Sequence, residues 1–349
     1  MPKISLMIHT ASPDEFLKNQ GVESYFNAVL NNLSHQTFKD FEFIFVDTFY
    51  DHNKDRFNSL SSTFPFVVKH VPIHHEHRYW FDQGYVYISA AKNTGLLYAD
   101  GELVITCDDA EFFPEHLLQL YWDHYKSGYY LHALHKRMKS IKTENGLPVF
   151  PIEGDVYIND HRLNNAPDKV KHHRQGNLLF AGSSFSLGDA LHLNGFNERM
   201  DGCKSLEDCD FGNRLTMIGR SFASEKNGFF YILDHQSYGD DIKTTIADGQ
   251  LNDPPHIPLP KKQISNFIAI ENFGMLRASE ELIEPQVNKF PITNRHLKII
   301  QRETLKYRNF DILAPAHKPM LDIWMNTPIF NLKKQREDLR NSSEWKWPK

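Results

Sequence analysis

Residues 3–9 (KISLMIH) form a short aliphatic run that stops at Thr10, Ser12, Pro13 and Asp14, the pattern of a strand entering a turn. The period then becomes helical, with Phe26, Val29, Leu30 and Leu33 on one face, before FEFIFVD (41–47) returns as a buried-type strand ending at Asp47. A helix near 52–62 and a strand at FPFVVKHV (64–71) repeat the alternation. A longer helix from about Tyr85 to Ala99 leads through Asp100-Gly101 into the strand ELVITC (102–107). Strands and helices at this spacing build βαβ units, so the expected fold class is α/β, with an open, mostly parallel sheet and helices on both faces. Its ligand site is expected at the carboxyl ends of the strands. Asp47 and the Asp108-Asp109 pair stand at two such ends.

After a helix near 115–127 the pattern is less regular. Hairpin-like stretches fall around LHALHKRMK and LPVFPIEGDVYI, followed by NLLFAGSSFSL (177–187), a helix from Leu206 to Ile218 and the strand FFYILDH (229–235). DPPHIPLPKK (253–262) carries four prolines in ten residues and reads as a linker, because proline can neither continue a helix nor donate within a central strand. Beyond it the chain is mainly helical.

Composition narrows the class. With 349 residues, 40% hydrophobic and 24% charged, the chain can bury a full core without metal or disulfide support, and its mean hydropathy of −0.51 fits neither a disordered chain nor a membrane bundle. The net charge of −5 argues against a generic nucleic-acid binder. The charge is uneven, however: Arg295 to Lys349 holds 12 basic and 6 acidic residues, so a basic C-terminal segment follows an acidic body. That segment reads either as a docking surface for an anionic membrane, nucleic acid or acceptor, or as a solvated helical surface. Cys107, Cys203 and Cys209 make an odd number with no CxxC, which fits a reducing compartment. No apolar run is long enough to span a bilayer, and the expected location is the cytoplasm, peripheral to the inner face of a membrane if the basic segment docks there.

Three groups of residues could carry chemistry. Asp108 and Asp109 directly follow a strand, where adjacent carboxylates repel unless a cation or hydrogen-bond donors balance them; hard Mg²⁺ or Mn²⁺ suits such oxygens, and a turn or cap is the plainer reading. Glu207, Asp208 and Asp210 lie at the start of a helix, where carboxylates suit the helix dipole but can also take a proton from an attacking alcohol. Asp210 and Arg214, four apart, read as a surface pair. His235 ends the last strand before a polar, glycine-containing stretch that could act as a lid, and the histidine cluster HVPIHHEH (70–77), lacking metal-protease spacing, reads as surface loop.

The order of these pieces resembles nucleotide-sugar-dependent glycosyltransferases of the GT-A fold, especially the large family 2, with a galactosyltransferase-type C-terminal module. Five segments carry the resemblance over roughly residues 3–240: ISLMIHT; SHQTFKDFEFIFVDTFYD with Asp47 and Asp51; SAAKNTGLLYADGELVITCDDAEFFP; FAGSSFSLGDALHLNGFNERMDG; and LEDCDFGNRLTMIG. The resemblance implies a Rossmann-like GT-A domain over 1–250, divided into a nucleotide-binding half (1–112) and an acceptor and catalytic half (113–250), then the linker at 251–262 and a helical extension at 263–349. It implies Asp47 and Thr10 at the nucleotide base, uracil in UDP-sugar enzymes, and Lys92 and Asn93 at the donor pyrophosphate. Asp108 would hold the ribose or help order the site, and Asp109 would bind Mn²⁺ or Mg²⁺ with His235, Glu111 being a fallback ligand. The sequence departs from the usual DxD element because Ala110 stands where many members have aspartate. Asp208 resembles the base of inverting members and Glu207 the residue that positions the acceptor hydroxyl.

The expected activity is therefore transfer of a sugar from a nucleotide-sugar donor, a UDP-sugar first, to a hydroxyl acceptor with inversion. A saccharide of a surface polysaccharide or glycolipid leads, with a modified nucleic-acid base or protein side chain as alternatives, and homo-oligomers remain open. A sugar nucleotidylyltransferase is disfavoured because HTASPDEFLKNQG is not a glycine-rich phosphate loop. A catalytically impaired sugar- or partner-binding relative is the non-enzymatic alternative.

Overall fold

The computed structural model describes residues 2–10, 12–48, 50–60, 64–72, 88–157, 170–174, 181–193, 195–196 and 207–234. His235, the linker and the C-terminal extension lie outside the described residues.

The apolar runs become strands β1 (Ile4–Thr10), β2 (Phe41–Asp47), β3 (Val67–Pro72) and β4 (Leu103–Cys107), each separated from the next by helix. They pair in parallel in the order β4-β1-β2-β3. All of β1, β2 and β4 is buried, which is why these segments read as continuous rather than alternating apolar runs. β3 starts later than FPFVVKHV suggested; Phe64, Pro65 and Phe66 form a bend, consistent with proline's missing donor. Helix α1 (Tyr25–Ser34) starts at Ser24, whose hydroxyl accepts from the Asn27 amide at 3.2 Å, and buries Phe26, Val29, Leu30 and Leu33. Phe26 meets Phe45 of β2 edge-on at 4.6 Å and Phe57 of α2 (Tyr50–Leu60) at 5.2 Å, so the aromatic excess in this half is core.

Helix α3 (Ile88–Tyr98) packs across β1 and β2. A Cβ at Gly95 would lie 1.8 Å from the Met7 sulfur and 3.0 Å from a Val46 methyl, so only glycine lets the helix approach the strands this closely. The sheet also buries charge: Lys69 donates to Glu42 at 2.7 Å, to Asp100 at 2.8 Å and to the Tyr98 carbonyl at 2.7 Å, while Glu42 accepts from the Ser5 hydroxyl at 2.6 Å.

The second half is woven into the first. After β5 (Glu111–Phe112) and α4 (Leu117–Lys126), the chain forms β6 (Tyr130–Leu131) and β7 (Leu134–Ile141), which belong to different sheets; the hairpin-like character expected around LHALHKRMK and LPVFPIEGDVYI is met by β7 pairing antiparallel with a later strand. A tight hairpin lies further on, where Asn145 and Gly146, with φ of 52° and 77°, turn β8 (Thr143–Glu144) into β9 (Leu147–Pro148). β10 (Gly154–Tyr157), β7, β14 (Phe229–Leu233) and β5 make one sheet in that order; β11 (Lys171–His173), β13 (Phe222–Ser224) and β6 make another. β12 (Ser183–Ser186) joins the parallel sheet antiparallel to β4 and is followed by α5 (Leu187–His192). Helix α6 (Glu207–Met217) completes the described elements. The architecture is mixed α/β around a largely parallel five-stranded sheet.

Candidate active site

The parallel register brings the strand ends together: Thr10 pairs with Asp47, and Ile8 with Cys107. Asp108 and Asp109 follow Cys107 directly, so the first-strand loop and the carboxylate turn face one another. Asp109 accepts from the Thr10 hydroxyl at 2.9 Å and the Ser12 hydroxyl at 3.1 Å. Asp108 opens to solvent, with its Oδ1 3.2 Å from His9 Nε2. His9 is buried, and its pKa is held down at about 4, by desolvation first and then by the Lys92 charge.

Ala110 completes the turn at φ 60° and is fully buried. Its carbonyl accepts from Leu233 at 3.0 Å, where β14 runs antiparallel beside β5. The third position of the DDA element is therefore buried, and a carboxylate there would be out of water. Glu111 also turns inward: it is fully buried, and its Oε1 accepts from the Asp108 amide at 3.2 Å. Burial pushes its pKa well above the ordinary carboxylate range. That position suits a brace beneath the turn better than a fallback metal ligand.

On the far side of the strand ends, α3 presents Lys92 to α6. Its ammonium donates to Glu207 Oε1 at 3.2 Å and, at short range, to Asp208 Oδ1. Lys92 is 1% exposed, Glu207 3% and Asp208 8%, so this ion triad is out of water yet borders the site. Burial pushes the Asp208 pKa up to about 7; Lys92 opposes the rise, and Glu207 and Asp108 add to it. Burial by itself would lower the Lys92 pKa, but Asp208, Glu207 and Asp108 outweigh it and keep the ammonium charged. A carboxyl poised near neutrality can exchange a proton with a substrate hydroxyl.

The neighbour of Lys92 sets the geometry. The Asn93 carboxamide donates to the Phe196 carbonyl at 2.9 Å and accepts from the Phe196 amide at 2.7 Å. The Phe196 ring packs against Phe211 of α6 with centroids 4.4 Å apart. Arg214, expected as a surface partner of Asp210, is instead fully buried and donates to the Leu193 carbonyl at 2.7 Å. The Asp210 side chain lies outside what is described.

At the end of β2, Asp47 is fully buried, and its Oδ2 accepts from Asn53 at 2.9 Å and from His70 Nε2 at 2.8 Å. His70 belongs to β3, not to a surface loop, and its ring lies 4.3 Å from Phe57 and 4.5 Å from Tyr50. His9 and His70, together with Ser12 and Asn53, are residues around the site that the sequence reading did not single out. The available signal for the two histidines was position: each stands at or near the carboxyl end of an apolar strand beside a singled-out residue.

Thr10, Asp108, Asp109, Lys92, Glu207 and Asp208 thus converge through contacts or direct electrostatic influence, while Asn93 supports them through Phe196. Among the described residues no group of three or more His, Cys, Asp or Glu is placed to hold a metal ion. Asp108 and Asp109 supply hard oxygens at one turn, which fits a Mg²⁺- or Mn²⁺-type ion that keeps further positions for phosphate oxygens.

No protein-family model matches the chain, and no curated protein does. Among solved structures the chain is similar to S. aureus TarS 1–349, with 12% identity over 97% of this chain and 83% of that one, and a TM-score of 0.44. The same S. aureus protein in complex with UDP-GlcNAc matches at 15% identity over 97% and 88% of the two chains, with a TM-score of 0.47. Its UDP complex matches at 15% over 99% and 94%, with a TM-score of 0.41. At such distance the likeness bears on neither substrate nor chemistry.

Proposed function

We propose that the protein is an inverting glycosyltransferase of the GT-A type, in the manner of family 2, which takes a nucleotide-sugar, a UDP-sugar first, and transfers the sugar to a hydroxyl acceptor. The observation that carries this reading is the Glu207-Asp208 pair, bound by Lys92 and electrostatically linked to Asp108 at the end of β4. A turn of carboxylates and hydroxyls on one side and a near-neutral carboxyl on the other is what displacement at an anomeric carbon requires.

In this mechanism the nucleotide lies across the strand ends, with its base toward Asp47 and Thr10 and its ribose toward Asp108. Asp208 takes the proton of the acceptor hydroxyl as that oxygen forms its bond to the anomeric carbon. The bond from that carbon to the diphosphate oxygen breaks on the opposite face, and the electron pair leaves with the nucleoside diphosphate. Glu207 orients the hydroxyl. Asp109, with Asp108 beside it and His235 two residues beyond Leu233, would hold Mn²⁺ or Mg²⁺, whose charge would offset that of the departing diphosphate. A saccharide acceptor is favoured, and the basic segment after Arg295 would serve an anionic surface.

Asp208→Asn tests the assignment. UDP affinity measured by calorimetry should stay within about threefold, while release of UDP from UDP-N-acetylglucosamine falls by about a thousandfold, the scale on which a base is lost together with the geometry it enforces. Undiminished turnover in that variant would overturn the role of Asp208.

A further inference from the structure

The resemblance places Lys92 at the donor's phosphates, but the geometry points to a different task. We propose that Lys92 is a positioning residue for the carboxylate base: its ammonium, fixed between Glu207 and Asp208 at the start of α6, favours the ionised form of Asp208 and aims it at the acceptor. This inference rests on the reading of Asp208 as the base.

Four observations support it. Lys92 is 1% exposed, and its ammonium already donates to Glu207 Oε1 at 3.2 Å and to Asp208 Oδ1. The Phe196 ring lies on another side, 5.1 Å from the nitrogen. Two of the ammonium's three N–H groups are thus engaged, and a phosphate approaching it would be brought against two buried carboxylates of like charge. The scaffold, finally, holds donor and acceptors in register. Gly95 lets α3 lie against Met7 and Val46, and Asn93 grips the backbone of Phe196, whose ring packs on Phe211 of α6 at 4.4 Å. Adjacent residues of one helix thus fix the start of another, Lys92 by charge and Asn93 through a packed ring.

The charges around Asp208 give the proposal its pH signature. Lys92 faces it from α3, Glu207 from its own helix and Asp108 from the turn after β4. His9 from β1 is influenced by Lys92, Asp109 and Glu207, and remains neutral above a pKa of about 4. Among the described residues, Lys92 is therefore the cation that opposes protonation of Asp208. Removing it raises the Asp208 pKa, and the acidic limb of the rate profile moves to higher pH; restoring a cation as arginine returns it.

The experiment compares wild type, Lys92→Gln and Lys92→Arg by kcat/KM for UDP-N-acetylglucosamine turnover across pH, and by UDP affinity with Mn²⁺ present. Lys92→Gln should shift the acidic limb up by a pH unit or more and lower kcat/KM at pH 7 about tenfold, with UDP affinity changed less than threefold. Lys92→Arg should keep the limb within about half a unit of wild type. A tenfold loss of UDP affinity with an unmoved limb would return Lys92 to the phosphates and overturn the proposal. Should Lys92→Gln lose cooperative unfolding, the ¹⁵N signal of the Lys92 ammonium in labelled wild-type protein decides. It should move on Asp208→Asn and stay in place on adding UDP; the reverse pattern overturns the proposal. If UDP perturbs no resonance and no donor turns over, the transferase reading falls separately, and a Lys92 signal indifferent to Asp208→Asn would still refute the pairing.

Discussion

Ala110 shows how one residue decides what a turn can hold. At φ 60° with its side chain fully buried, it occupies a conformation that costs an L-residue roughly 1 kcal/mol and a site with no room for solvated charge. Ala110→Gly is expected to stabilise the fold by about 0.5–1 kcal/mol in urea unfolding, since glycine relieves the backbone and the deleted methyl is small. Ala110→Asp should do the opposite, losing about 3 kcal/mol or more by burying a carboxylate, and it should not tighten Mn²⁺ binding. A stable Ala110→Asp protein with stronger metal affinity would show that the side chain faces the site. The alanine was visible in the sequence as a departure from a pattern, but its backbone was not, because alanine is not among the residues, glycine, asparagine and aspartate, that mark a positive φ as Asn145 and Gly146 do. His9 and His70 were hidden for a related reason. Each sits inside or beside an apolar strand, and nothing in the local pattern says that a lone strand histidine meets Asp108 at 3.2 Å or Asp47 at 2.8 Å.

At the level of elements, the strand-helix alternation is legible because a buried parallel strand must be apolar on both faces while its crossover helix needs one apolar stripe. FEFIFVD and the Phe26, Val29, Leu30, Leu33 stripe could hardly be exchanged. Short strands of the second half, such as β6 and β11, span two or three residues and carry no period, so their sheets could not be read. Charge inside a strand is equally opaque until the partner is seen. Glu42 and Lys69 stand on adjacent strands β2 and β3, 1% and 7% exposed, and satisfy each other at 2.7 Å. Lys69→Met should cost about 3–5 kcal/mol, because Glu42 is then a buried charge whose remaining donors are the Ser5 hydroxyl and the Asp100 amide. Adding Glu42→Leu should recover part of that loss, giving a coupling of roughly 2 kcal/mol in a double-mutant cycle. Additive effects of the two substitutions would mean that the pair contributes nothing as a pair.

For the molecule as a whole, the carboxylate turn after β4 and the Lys92-Glu207-Asp208 triad are separate in sequence but share one framework. β12 pairs with β4 next to the carboxylate turn, Asn93 joins α3 to Phe196, and the Gly182 amide donates to Thr106 at 2.7 Å. A ligand at the strand ends should therefore stabilise the fold as one unit, and the metal question can be posed as a linkage experiment. With two carboxylates at the turn and no cluster of three or more metal-ligating side chains among the described residues, Mn²⁺ alone is expected to bind weakly. Diphosphate oxygens would complete its coordination, so metal and UDP should stabilise together far more than either does separately. At UDP concentrations about 100 times the dissociation constant, linkage predicts about 2.7 kcal/mol, which for a chain of this size is roughly 4 °C in the midpoint of thermal unfolding. Mn²⁺ alone or UDP with EDTA should each give less than about 1 °C. Asp109→Asn should erase the joint effect, since its carboxylate is the one held toward the first-strand loop by Thr10 and Ser12. An equal rise with UDP in EDTA would show that donor binding at this turn needs no metal, and would leave the Thr10, Ser12 and Asp109 cluster a structural clasp between two strand ends.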